Sequence, residues 1–165
     1  MDVPSGATPL HFAAQSGDLA EIERLLSAGA NPNARDAHGN TPLKYASAEP
    51  RPAAMRRLLA AGAQVDLADD RGFTPLHCAA AHGFYTEAAE MVALLIDAGA
   101  DVNARSRFLG LVPLHEATGP HIIDLLLDCG ADASLRNDAG LTPSEYMEGE
   151  ERDEDAAAVS RRLWG

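Results

Sequence analysis

The residues of this chain whose types could carry chemistry are six histidines, two cysteines and a few neighbouring carboxylates. Cys78 and Cys129 are far apart and belong to no Cys-x-x-Cys pair, and the histidine spacing matches no zinc site. Asp69-Asp70 and the acids of 153–155 are adjacent in sequence, whereas acid–base catalysis needs groups that converge in a cleft. No Walker loop, Gly-x-Ser-x-Gly or His-Glu-x-x-His motif is present. The sequence predicts no catalytic site, no metal and no cofactor.

Three of the histidines occupy a motif that recurs along the chain. It reads Thr-Pro-Leu-His at residues 8–11, and related tetrapeptides begin at residues 41, 74, 112 and 142. Successive starts are 33, 33, 38 and 30 residues apart, and a glycine lies two residues before every start. A Gly-Ala pair follows each of the first four starts, at Gly29-Ala30, Gly62-Ala63, Gly99-Ala100 and Gly130-Ala131. Repetition at this period is typical of stacked repeat proteins.

Each residue of the motif suits the first turn of a helix. A threonine before the helix can accept the N–H of the third helical residue, and proline is favoured at the first helical position. The histidine at the third position can bond back towards the threonine, so we expect His11, His77 and His115 to be structural. The last unit carries a complete capping box from Thr142 to Glu145. Val112 has no hydroxyl, so we expect its helix to start less firmly.

A second helix precedes each Gly-Ala pair. Residues seven, four and three positions before the glycine are apolar in every unit, which is the spacing of one helix face. Glycine then suits the left-handed position that ends a helix. The first helices carry alanines, which allow close packing, and a single helix pair cannot bury both of its faces without stacked neighbours. The apolar columns are Ile22, Leu25, Leu26; Met55, Leu58, Leu59; Val92, Leu95, Ile96; and Ile123, Leu126, Leu127.

These motifs resemble those of the ankyrin-repeat family, over essentially the whole chain. The resemblance implies an all-α solenoid of stacked antiparallel helix pairs joined by β-turn fingers. The chain is then a single domain of 1–165, with units at about 8–40, 41–73, 74–111 and 112–141 and a cap at 142–165. Partners of such proteins usually dock on the concave face, which the fingers and the first helices form.

Several positions depart from the repeat. The third unit has four extra residues near 84–87, between its helices or at the start of the second, and one more within 106–109. The fourth unit is shortened at 118–120. In the cap, we expect a first helix from Pro143 to about Met147 and a last helix over 156–164. The acidic stretch 148–155 between them is either a solvated helix start or a docking patch for a basic partner.

The net charge of −12 and the absence of a basic stripe disfavour nucleic acid and anionic membranes as partners. The same charge favours a basic protein or a basic patch on one. No basic N-terminal segment precedes an apolar run, and no apolar stretch is long enough to span a membrane. Cysteines without a pairing pattern suit a reducing compartment. We therefore expect a cytoplasmic, monomeric protein.

The expected function is a non-catalytic protein–protein interaction module, either an adaptor or an inhibitor. Two alternatives stay open: a structural module that docks within a larger protein, and a substrate for asparaginyl hydroxylation. The latter follows from Leu25 and Leu95, which lie eight residues before Asn33 and Asn103, a spacing that resembles the pattern described for ankyrin repeats. For Phe73, packing on a neighbouring finger is as plausible as contact with a partner. The expected partner-binding residues are Tyr45, Arg71, Phe73, Arg107, Phe108, His38, Asp69 and His82.

Overall fold

The computed structural model describes residues 6–150, and this part of the chain consists of nine α-helices with no strand. The side chain of Glu150 is not described. The helices are α1 (Pro9–Ser16), α2 (Leu19–Ser27), α3 (Pro42–Ala48), α4 (Pro52–Ala60), α5 (Pro75–Ala80), α6 (Ala88–Asp97), α7 (Pro113–Glu116), α8 (Pro120–Asp128) and α9 (Pro143–Glu150).

The helices form two layers, as the resemblance implies. The first helices contact one another in the order α1, α3, α5, α7 and α9, and the second helices in the order α2, α4, α6 and α8. The core between the layers consists of small side chains from the first helices and aliphatic side chains from the second. Ala14, Ala46 and Ala79 are 0% exposed, as are Ile22 and Met55.

The second helices end as the sequence predicts. The glycines that follow α2, α4, α6 and α8 have φ values of 87°, 87°, 90° and 94°. These values lie in the left-handed region that only glycine occupies without strain. The backbone N–H of the next alanine then returns to the helix, as from Ala30 to the Leu25 carbonyl at 3.0 Å. The recurrent Gly-Ala pair is therefore the end of each second helix.

The apolar column of the second helices is predicted well in the first three units and less well in the fourth. Ile122 is buried there, although it is outside the predicted column, and Ile123 is only partly buried. Leu127 is 40% exposed. The reason is that α8 contacts α6 on one side, while residues 6–150 supply no second helix for its other side.

The irregular segments lie between the helices. Residues 84–87 separate α5 from α6, and the fourth unit has the shortest helix, α7, which has four residues. Thr118 ties this short unit to the third, since its hydroxyl donates to the Ala81 carbonyl at 2.9 Å and accepts the Gly83 N–H at 2.9 Å. The inserted and deleted residues therefore change the connections between helices and leave the two layers continuous.

The prediction for the first cap helix is too short. α9 continues beyond Met147 to Glu150, so Glu148 lies in its last turn and does not begin a further helix. The capping box at its start is confirmed: the Thr142 N–H donates to Glu145 Oε2 at 2.8 Å, and the Glu145 N–H reaches Thr142 Oγ1 at 3.4 Å. The expected last helix, 156–164, lies outside the described residues.

Candidate partner-binding surface

Four fingers connect successive units, and we number them by their residues: finger 1 (36–40), finger 2 (69–73), finger 3 (106–111) and finger 4 (137–141). In three of them, the first side chain closes the turn. One oxygen of Asp36 accepts the N–H groups of His38 at 2.9 Å and Asn40 at 2.8 Å. Asp69 and Asn137 accept the two equivalent N–H groups in fingers 2 and 4, all at 2.9–3.0 Å. Each finger is thus closed within its own sequence.

Finger 3 contains the extra residue and closes differently. Its first residue is Ser106, whose hydroxyl accepts the Leu111 N–H at 2.9 Å and donates to the Phe108 carbonyl at 2.6 Å. A hydroxyl can both donate and accept, which a carboxylate cannot do. The longer loop turns at Leu109, a non-glycine residue with a φ of 64°.

Backbone hydrogen bonds join the fingers into a row. The Asp70 N–H donates to the His38 carbonyl at 3.0 Å, and the N–H groups of Arg107 and Phe108 both donate to the Arg71 carbonyl, at 2.8 and 2.9 Å. Finger 4 bonds to the Leu109 carbonyl at 2.9 Å. The side chains at the finger tips therefore project from a hydrogen-bonded framework.

The motif histidines hold the base of this row, as predicted. The N–H groups of Thr8, Thr74 and Val112 donate to Nδ1 of the histidine three residues later, at 3.0, 3.1 and 3.2 Å. Because Nδ1 accepts, the proton resides on Nε2, which donates to a finger carbonyl of Asn40, Leu111 or Leu141 at 3.0–3.1 Å. Burial lowers the pKa of His77 to about 4 and also lowers that of His115. The three rings are structural links between the first helices and the fingers.

Lys44 stands in place of the motif histidine in the second unit. Its side chain is 4% exposed, and its ammonium forms an ion pair with Asp69 of finger 2, whose side chain is 12% exposed. The Asp69 carboxylate thus binds Lys44 and closes its own finger, and its contact with a partner stays a prediction. The sequence contained a signal for this pair, since Lys44 is the only lysine and replaces a histidine.

Phe73 also lies inside the stack. It is 3% exposed, and its ring meets that of His77 edge-on with the centroids 5.3 Å apart. Of the two roles that the sequence left open, packing between neighbours is the one observed. The expectation of a surface contact at Phe73 is corrected, because the finger turns its last side chain inward.

Four expected residues are exposed at the finger tips: His38, Arg71, Arg107 and Phe108. The Arg71 guanidinium lies over the Phe108 ring, 5.9 Å from its centroid, within the range of a cation–π contact. Phe108 is 42% exposed and its neighbour Leu109 is 43% exposed. Leu109 was absent from the expected set, although the dipeptide Phe-Leu before the finger glycine marks this apolar tip.

Tyr45 on α3 and His82, two residues beyond the end of α5, are half-buried. The Tyr45 hydroxyl donates to Asp36 at 3.0 Å, and burial together with this carboxylate raises the pKa of Tyr45 to about 12. His82 stacks edge-on against Tyr85 at 5.4 Å and bonds to the Ala48 backbone, and burial lowers its pKa. Tyr85 and Phe84, 56% and 86% exposed, add two aromatic side chains that the site prediction did not include.

Asn33 and Asn103 are held between units. The Asn33 amide donates to the Gly62 carbonyl at 3.0 Å and accepts the Gln64 N–H at 2.7 Å. Asn103 makes the equivalent bonds to Gly130 and Asp132, at 3.1 and 2.9 Å. These side chains have a structural role, and asparaginyl hydroxylation of them stays a prediction.

Neither a metal-binding cluster nor a helix able to cross a membrane occurs within residues 6–150.

The comparisons with known proteins agree with the architecture. A family model described as ankyrin repeats, with three copies, matches residues 1–69 and 51–137. The described part of the chain contains four helix pairs followed by α9. The search of curated proteins finds no match to the chain. Ankyrin repeats are in general non-catalytic protein–protein interaction modules. The stacked helix pairs, the fingers and the family match together show that this chain belongs to the ankyrin-repeat family.

Proposed function

We propose that this protein is a non-catalytic adaptor or inhibitor that binds a protein partner across its fingers and first helices. One observation carries the proposal: successive finger tips present exposed side chains, namely His38, then Arg71, then Arg107 and Phe108, from a row joined by backbone hydrogen bonds. A surface whose backbone is already ordered loses little conformational entropy on binding. Arginine and aromatic side chains are also enriched among residues that dominate binding energies.

The half-buried side chains extend this surface to α3 and to the turn that follows α5. Tyr45 is fixed by Asp36 and by its edge-on contact with His11, at a centroid distance of 5.1 Å. His82 is fixed by Tyr85 and Ala48. Side chains with few free rotamers make effective contact residues, so both remain in the proposed site. Asp69 and Phe73 support it from beneath.

We further propose that the protein is a cytoplasmic monomer. Cys78 is buried and Cys129 exposed, and both are free thiols, which suits a reducing compartment. The net charge of −12 favours a partner that also carries a basic patch. Asp97, Asp124 and Asp128 are exposed on α6 and α8, and no arginine of residues 6–150 forms an ion pair with them. The second helices are therefore where a basic patch would approach.

Affinity capture from the native host tests the binding surface. The bait is the full chain, and the test variant is His38→Ala/Arg71→Ala/Arg107→Ala, which changes exposed finger residues only. The control is Arg56→Ala/Arg57→Ala, which changes two exposed arginines on α4. We expect specific partners to be lost with the finger variant and retained with the α4 variant. If both variants retain the same proteins, the proposed surface is wrong.

A further inference from the structure

One part of the proposed binding surface has an unusual composition, and the inference drawn from it rests on the proposed function. We define the finger patch as Arg71, Arg107, Phe108 and Leu109. Its two apolar side chains are 42% and 43% exposed, and they occupy the tip of the one finger that carries an extra residue. An exposed Phe-Leu pair between two arginines gives a small apolar surface with a cationic border.

The charge of the finger patch is not balanced within the described chain. Three carboxylates of fingers 2 and 4 already have a cation: Asp69 pairs with Lys44, Asp70 with Arg35 at 3.6 Å, and Asp138 with Arg105 at 3.0 Å. By contrast, neither Arg71 nor Arg107 forms an ion pair with any carboxylate of residues 6–150. A protein with a net charge of −12 therefore carries a local surplus of positive charge at this tip.

The backbone presents these side chains at a cost in strain. Leu109 has a φ of 64°, a left-handed conformation that disfavours residues with a Cβ. The neighbouring finger glycine, Gly110, also has a positive φ of 63°. The strained loop is held in place by two hydrogen bonds to the Arg71 carbonyl. The two hydrogen bonds of the Ser106 hydroxyl hold it from within. Strain maintained by its surroundings is characteristic of functional surfaces.

We infer that the finger patch recognises an acidic peptide segment that carries a large apolar side chain. The carboxylates of such a segment would bind Arg71 and Arg107, since guanidinium groups bind carboxylates through paired hydrogen bonds. Its apolar side chain would pack on Phe108 and Leu109. The finger patch thus prefers an acidic ligand, whereas the acidic second helices prefer a basic one. Salt screens exposed charges from one another beyond about 8 Å, so the charges of the second helices have little effect on a ligand in direct contact with the finger patch.

Selection from a random peptide library tests the inference. A phage-displayed library of unbiased 12-residue peptides is selected on the full chain, and the enriched sequences are synthesised with a fluorescent label. Their affinities are measured by fluorescence anisotropy for the native chain, for Arg71→Gln/Arg107→Gln and for Phe108→Ala. The matched controls are Arg56→Gln/Arg57→Gln on α4 and Leu127→Ala on α8, whose side chain is 40% exposed. Thermal melting verifies that each variant is folded, which is expected because every changed side chain is exposed.

We expect the enriched peptides to combine several Asp or Glu residues with a large apolar residue. The finger double variant should bind them about thirtyfold more weakly and Phe108→Ala about tenfold more weakly, with the controls unchanged within about twofold. Enrichment of basic peptides, or equal affinity for the native chain and the finger double variant, would overturn the inference. So would a selection that enriches no sequence. The proposed function is decided separately, by the capture experiment with host proteins.

Discussion

At the scale of single residues, the pair formed by Lys44 and Asp69 shows how one substitution in a repeat is compensated. A motif histidine donates from Nε2 to the next finger's carbonyl, whereas Lys44 sends an ammonium group to the next finger's carboxylate. In the fourth unit His115 and Asn137 stand at these two positions; His115 bonds to the Leu141 carbonyl, and Asn137 closes its own finger. A first helix is thus joined to the next finger by an ion pair in the second unit and by a histidine hydrogen bond in the other three.

This comparison predicts the result of two substitutions. Asp69→Asn keeps the oxygen that closes finger 2 but removes the carboxylate from Lys44, so we expect a loss of about 3 kcal/mol in the free energy of unfolding. Adding Lys44→His should recover most of the loss, because the histidine could donate to the Phe73 carbonyl as His115 donates to the Leu141 carbonyl. Urea denaturation measures both values. A double variant no more stable than Asp69→Asn alone would contradict this account of the pair.

The buried histidine His77 predicts a dependence of stability on pH. Its pKa is about 4 in the folded chain and about 6.5 in the unfolded chain, so the unfolded state binds the proton first as the pH falls. The contribution of this group is fully present above pH 6.5 and is lost as the pH falls through about 4. The loss amounts to roughly 3 kcal/mol. We therefore expect unfolding midpoints to fall over this interval.

His77→Gln isolates that contribution. Between about pH 6.5 and 4, the slope of the unfolding free energy against pH should be smaller in this variant. The decrease should reach at most about 1.4 kcal/mol per pH unit, the slope that one additional bound proton produces. His38→Gln, which changes an exposed finger histidine, is the matched control. Equal slopes for native chain and His77→Gln would show that His77 is not the group responsible.

At the scale of secondary-structure elements, the connections between helices place the tightest demands on sequence. Gly83 follows α5, and a Cβ added there would lie 1.4 Å from the Thr118 carbonyl oxygen. Gly62 follows α4 and has open space around its position, but its φ is 87°. The first glycine is required by the approach of two backbones, and the second by backbone conformation alone.

Alanine substitutions at these two glycines should therefore differ in cost. We expect Gly83→Ala to lower the free energy of unfolding by about 3 kcal/mol or more, because the third and fourth units must separate to admit the methyl group. Gly62→Ala should cost only about 1–2 kcal/mol, the strain of a left-handed alanine. Chemical denaturation of both variants provides the comparison. Equal losses would indicate that the contact between Gly83 and Thr118 has no special role.

The elements also show which features were readable from sequence. Helix starts and ends follow local rules, so Thr-Pro at the start and Gly-Ala at the end located them correctly. The depth of a side chain depends on neighbours distant in sequence, so the burial of Phe73 could not be decided from the sequence. Similarly, no local signal ended α9 at Met147, because the acidic residues after it are acceptable helix formers.

At the scale of the whole molecule, charge is distributed unevenly. Exposed carboxylates without an arginine partner lie on α6 and α8, whereas unpaired guanidinium groups lie on the fingers within residues 6–150. The net charge of −12 nevertheless produces repulsion within the folded chain as a whole. The exposed ion pairs offset little of it, since each contributes at most about 1 kcal/mol.

Salt should therefore stabilise this protein. Between about 20 and 500 mM NaCl the Debye length falls from ~20 Å to ~4 Å. We expect the melting temperature to rise by about 3 °C over this range, the shift that ~1 kcal/mol produces in a domain of this size. Circular dichroism melts at several salt concentrations measure the change. A falling melting temperature would mean that the ion pairs outweigh the repulsion.

The central claim is that the fingers and first helices bind a protein partner. Amide hydrogen exchange of the chain, with and without a partner captured from the native host, tests it most directly. We predict slower exchange on binding in fingers 1 to 3 and in α3 and α5, with α4, α6 and α8 unchanged except where a basic patch approaches them. Protection confined to the second helices, with the fingers exchanging as in the free chain, would contradict the claim.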